Sequence, residues 1–176
     1  PALLCAMLVA PLLVNSLPLI GDYPNHLARM YLLVTLGQGS PLDQFYEIDW
    51  NVVPNLAMDL VVPLLARILP LDVAGRLFAA AAMLAPFIGI LAVFRTAFGR
   101  SGAWPLAGAL VTTNGLFFWG FLNFTLGMGL VLLSIAVWLR RPDVRDARTM
   151  GSLVILGLLL FACHLQALML LSLIHI

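Results

Sequence analysis

The chain has 176 residues, 62% of them hydrophobic and 10% charged, with a mean hydropathy of +1.06 and a net charge of +1. A soluble domain carries about 25% charged residues, so this composition excludes an ordinary water-soluble globule and points to the lipid bilayer as solvent. The near-neutral balance excludes a nucleic-acid footprint. Cys5 and Cys163 sit inside apolar runs without zinc-type spacing, which reads as two small buried apolar side chains.

In chain order, five apolar runs approach the roughly 20 residues that cross a bilayer: 2–20, 73–94, 104–120, 121–139 and 152–173. The first lacks a basic leader and is followed by further runs, so it is expected to be a retained span rather than a signal peptide. The third and fourth meet in TTNGLFFWGFLNFT, which reads either as a tight hairpin or as part of one longer broken helix. A chain that opens on Pro1 and closes inside an apolar run is expected to be part of a longer protein. The expected fold class is all-α: a polytopic transmembrane helix bundle, residues 1–176 forming one domain.

Arginine sets the expected orientation. Arg95 and Arg100 flank the turn after the second run, and Arg140, Arg141, Arg145 and Arg148 fill the loop after the fourth. Both are expected on the cytoplasmic side. Residues 21–72 hold six of the eight acids, among them Asp22, Asp43, Asp49 and Asp59, and are expected on the extracytoplasmic side. Within that segment Pro24 suits a first helical turn. Leu27, Met30, Tyr31 and Val34 follow at helical spacing, and Gly37, Gly39 and Pro41 end the pattern. A second such element is expected from Pro54, limited by Pro63 and Pro70. Two short helices on the membrane surface are the reading.

GDYPNHLARM, residues 21–30, places an acid, an amide, an imidazole and a guanidinium within eight residues. Asp22, Asn25, His26 and Arg29 follow the first apolar run directly. Asn15, Asn114, Asn123, His164 and Gln166 fall toward the same side of their runs. Ionisable groups in spans are costly and commonly face a cavity or a partner, so one outward-opening polar cavity is expected. Asp22, His26, Arg29, Asn55, Asp59 and His164 are its candidate residues. Each has a structural alternative. Asp22 complements a helix N-terminus, His26 anchors at the interface, Arg29 snorkels to headgroups, Asn55 and Asp59 bond each other one turn apart, and His164 bonds a neighbouring helix. An acid that accepts a hydroxyl proton, beside cations that hold a leaving phosphate, suits transfer from a lipid-linked phosphate donor.

A first span ending in an acid, then a long outer segment with two surface helices, then closely spaced spans resembles the amino-terminal part of the GT-C type polytopic glycosyltransferases. The likeness is architectural, covers residue 2 to about 139, and carries over one residue, Asp22 in GDYPNH. It implies an inverting transfer of a sugar from polyprenyl phosphate to an acceptor hydroxyl, with Asp22 as catalytic base. Arg29, His26 or His164 would steady the phosphate, and Asp49 or Asp59 would be the second acid of the first outer loop. Here Tyr23 follows Asp22 where a second acid could stand. The implied partners are the bilayer and a lipid-linked sugar donor, in the plasma (inner) membrane. No cofactor is implied, and a divalent metal has no support in the spacing. Two other readings stand beside this one: a transporter or permease piece lined by Asn, His and Gln, and a membrane scaffold without a site.

Overall fold

The computed structural model describes residues 1–140 and 146–174, and among them every regular element is helical. Two helices are long and apolar enough to cross a membrane: α4, Leu71–Phe98, and α7, Leu122–Arg140. At 1.5 Å per residue, α4 with its 28 residues measures about 42 Å and α7 with 19 about 28 Å. Their apolar content drives burial against each other and against lipid rather than a one-sided stripe. The pair forms the most extensive helix contact in the molecule. Small residues let it close: a Cβ added at Gly129 would lie 2.4 Å from Ala85 C, and one at Gly89 would lie 2.6 Å from Leu132 Cβ. Close backbone approach through glycine is how helices associate where no hydrophobic force separates helix from lipid.

The other three apolar runs are not single spanning helices. The first ends early, as α1, Ala2–Val14. Asn15 folds its amide back onto Pro11 O at 3.0 Å, and Pro18 disfavours helical geometry at Leu17. Arg76 of α4 takes the freed end, donating to Leu13 O at 2.6 Å and to Asp72 Oδ2 at 2.8 Å; a cation suits a helix C-terminus. The third run is broken into a 3₁₀ turn at Trp104–Ala107, then α5, Gly108–Thr112, and α6, Gly115–Trp119. Val111, Thr112 and Thr113 are β-branched and poor helix formers. Asn114 caps the restart by accepting from Phe117 N at 3.0 Å. The chain returns along α4 in these pieces and turns into α7 at Gly120, which has φ +98°. The fifth run is two helices, α8, Ala147–Cys163, and α9, Leu165–Ile174, separated by extended His164 (φ −165°, ψ 132°). α8 starts before residue 152 because Asp146 caps it, accepting from Thr149 N at 3.1 Å. Arg141 and Arg145 of the Arg-rich loop lie outside the described residues.

The two helices expected between residues 21 and 72 are present: α2, Tyr23–Thr35, and α3, Ala57–Leu65. α2 has Pro24 in its first turn and buries Tyr23 and Met30. Asp43 accepts from Gly37 N and Gly39 N beyond its end. α3 starts later than Pro54, because Asn55 is left-handed at φ +72°; Pro63 lies inside it rather than ending it. Both helices pack on α4, and one core joins Tyr23, Met30, Met58, Val62 and Phe78. Large apolar side chains such as Ile155 and Leu158 of α8 remain exposed, a surface suited to lipid.

Candidate functional site

The link between α1 and α2 is laced to the turn that starts α7. Gly21 N donates to Phe118 O at 2.7 Å and Asp22 N to Trp119 O at 3.2 Å. Gly120 must be glycine there: its φ is positive, and an added Cβ would lie 2.7 Å from Asp22 Cβ. Asp22 stands at the N-cap position of α2, but its carboxylate makes no capping bond. Its Oδ1 accepts instead from Asn25 Nδ2 at 2.7 Å. One turn on, His26 Nε2 lies 3.5 Å from Asp22 Oδ2 and 3.0 Å from Gly120 O. A carbonyl only accepts, so Nε2 carries a proton and donates. That leaves Nδ1 of the neutral ring as an acceptor.

Asn123, buried in the first turn of α7, holds the opposite wall. Its Nδ2 donates to Asn55 O and Asn55 Oδ1, both at 2.9 Å, and its Oδ1 accepts from Met58 N at 3.0 Å. A side chain of α7 thus caps α3, which has no cap of its own. Leu56 N donates to Ala162 O at 2.7 Å, tying the same corner to the end of α8. His164, at the α8–α9 break, accepts from Gln166 N through Nδ1 at 3.3 Å; its imidazole stands edge-on to Phe124 at 5.3 Å. With Nδ1 accepting, the neutral ring carries its proton on Nε2.

These residues enclose a cavity of about 360 Å³ lined by Asp22, His26, Asn55, Asn123 and His164, with the Trp119–Phe124 turn completing the wall. Four of the six candidate residues meet there. Arg29 and Asp59 do not; they line the neighbouring hollow. Arg29 Nη2 donates to Asp59 Oδ2 at 2.6 Å, with the Arg29 side chain 57% exposed and Asp59 5%. Asp59 therefore bonds Arg29 and not Asn55, and the two residues share no helical face because Asn55 precedes α3. Burial pushes the Asp59 carboxyl above its ordinary range, against the lowering by Arg29 and His26. Asn114 and Asn15 serve their own helix ends and stay outside the cavity. The lining residues absent from the candidate set all belong to the 119–124 turn, and of these Asn123 and Gly120 make the side-chain and backbone contacts described above. Asn123 stood out as an amide at the head of an apolar run; Gly120 gave no signal beyond its residue type.

Chemically the cavity offers one carboxylate, an imidazole donor at His164 Nε2, an imidazole acceptor at His26 Nδ1, and amide groups. Among the described residues no group of three His, Cys, Asp or Glu side chains is placed to hold a metal ion. No family model matches this chain, and no curated protein or solved structure does either.

Proposed function

We propose that the chain is the amino-terminal part of a membrane glycosyltransferase that moves a sugar from a polyprenyl-phosphate donor to an acceptor hydroxyl on the extracytoplasmic face. One observation carries the reading: an acid, two imidazoles and two amides, drawn from four distant stretches of a chain that is 10% charged, line a single cavity. Asp22 is the base. Its carboxylate takes the acceptor O–H proton as that oxygen attacks the anomeric carbon. The bond from the anomeric carbon to the phosphate oxygen breaks, and polyprenyl phosphate leaves with the electron pair. His164 supplies a donor to the phosphate through Nε2 as its charge grows, and His26, whose Nε2–H is held by Gly120 O, does so only as the imidazolium, through Nδ1–H. Arg29, neutralised by Asp59, is left out of that role. The lipid tail lies against the apolar helices, and residues 21–72 face outside.

The test uses the full-length protein in sealed vesicles with radiolabelled polyprenyl-phosphate sugars. Transfer to an added acceptor on the side of residues 21–72 is the expected result. Uptake of a free solute, with no transfer from any donor, would replace the enzyme by a transporter.

A further inference from the structure

We infer that the hollow beside the cavity, bordered by Arg29, Asp49, Trp50, Asn51 and Asp59, is a saccharide-binding subsite; with the function proposed above, it holds the acceptor. The hollow measures about 230 Å³, room for a single sugar ring. Its wall carries an indole, Trp50, that is 55% exposed. Two polar pairs border the same hollow. Asn51 Nδ2 donates to Asp49 Oδ2 at 3.0 Å, and Arg29 donates to Asp59 at 2.6 Å. Each pair spends one contact and keeps others. Asp49 Oδ1 and Asn51 Oδ1 accept, and the remaining Arg29 N–H groups donate.

Charge selects the ligand class. Arg29 is compensated by a buried carboxylate, and Asp49 adds a further negative charge, so an anion gains nothing here. A ring bearing neutral hydroxyls uses both the donors and the acceptors, and its C–H face packs on the indole. Leu33 and Ile48 line the apolar part. An indole that served only as an interfacial anchor would need neither polar pair. Asn55 lines the cavity of Asp22, and the next residue, Leu56, lines the hollow. The two hollows thus adjoin at consecutive residues of one segment.

The experiment is saturation-transfer NMR on the full-length protein in nanodiscs. The probes are methyl α-mannopyranoside, methyl α-glucopyranoside and methyl β-galactopyranoside, with inorganic phosphate as competitor. At least one glycoside is expected to show saturable transfer that phosphate does not displace. Trp50→Ala should weaken it roughly tenfold or more, as loss of an aromatic anchor does. Trp50→Phe should keep most of it, and Asn51→Ala should weaken it if Trp50→Ala fails to fold. Absence of saturation with every glycoside, unchanged binding in Trp50→Ala, or displacement by phosphate would each overturn the subsite. Asp22→Asn is expected to bind the glycoside as wild type does. Loss of transfer in Asp22→Asn alongside intact glycoside binding in Trp50→Ala would sink the subsite alone. Unimpaired transfer in Asp22→Asn would sink the catalytic role of Asp22 alone.

Discussion

Asp59 is buried at 5% exposure with one cation beside it. Its carboxyl is raised above the ordinary 3.8, first because burial disfavours the charged form. The native state therefore keeps this proton to higher pH than the unfolded chain does. The contribution to stability is full below 3.8 and is lost as pH rises through the raised native value. Asp59→Asn mimics the protonated form and does not titrate, and the exposed Arg29 turns to solvent. Thermal unfolding of both proteins between pH 4 and pH 7 should show wild type losing stability relative to Asp59→Asn as pH rises. Parallel curves would contradict this.

Tyr23 makes a second case. Burial pushes its phenol up to about 12, against the lowering by Arg76, and its hydroxyl is buried with no hydrogen-bond partner. The hydroxyl lies over Gly75, where an added Cβ would be 2.6 Å away. Gly75→Ala should cost roughly 1–3 kcal/mol by overpacking. Tyr23→Phe should be neutral or stabilising, because it removes an unmade hydrogen bond, and should restore most of what Gly75→Ala loses. Equal losses for Gly75→Ala in the Tyr23 and Phe backgrounds, measured by unfolding in detergent, would rule the clash out. Neither effect is legible in sequence, since it needs two residues 52 positions apart to meet. Asp22 and His26 were legible: they sit one helical turn apart at the end of an apolar run. The Asn55–Asp59 spacing misled, because a left-handed Asn55 takes it out of the helix.

Helix ends account for most of what the apolar pattern missed. A hydropathy ruler counts apolar residues and is blind to local geometry. It therefore joined α8 to α9 across His164, where no Pro or Gly marks the break, and α5 to α6 across Thr113 and Asn114, whose poor helix propensity it ignores. It found α4 and α7, the two helices that run unbroken through their apolar stretches, α4 even past Pro86. Asn123 shows the limit from the other side. As a residue it is one amide; as a cap for α3 it depends on where α7 lies. Asn123→Ala leaves Met58 N without its acceptor, and a buried donor without a partner costs about 1–3 kcal/mol. Hydrogen exchange in the full-length protein should show faster exchange at the first turn of α3 and at residues 55–58, with α4 unchanged. Unaltered protection at Met58 would mean that Asn123 does not hold this end.

The molecule separates its chemistry from its bulk. α4 and α7 carry the apolar mass and the small-residue seam. The cavity forms at one end of that pair, where the α1–α2 link, the α6–α7 turn, the start of α3 and the α8–α9 break converge. One polar cavity is expected from the side of their runs on which Asn15, Asn114, Asn123, His164 and Gln166 fall. Asp22, His26, Asn55, Asn123 and His164 line one cavity, while Arg29 and Asp59 line its neighbour and three of the five expected spans are broken or short. The hydrogen bonds that build the cavity, such as Gly21 to Phe118 and Leu56 to Ala162, join segments about 100 residues apart and leave no trace in local pattern.

The most direct measurement is the rate of sugar transfer from a labelled polyprenyl-phosphate donor by full-length Asp22→Asn, with membrane insertion and glycoside binding checked in the same preparation. Loss of a general base lowers the rate by roughly 10²–10⁴-fold, and that fall is expected here with insertion and binding intact. A variant that transfers sugar within a few-fold of wild type would contradict the role given to Asp22 and leave the cavity without its base.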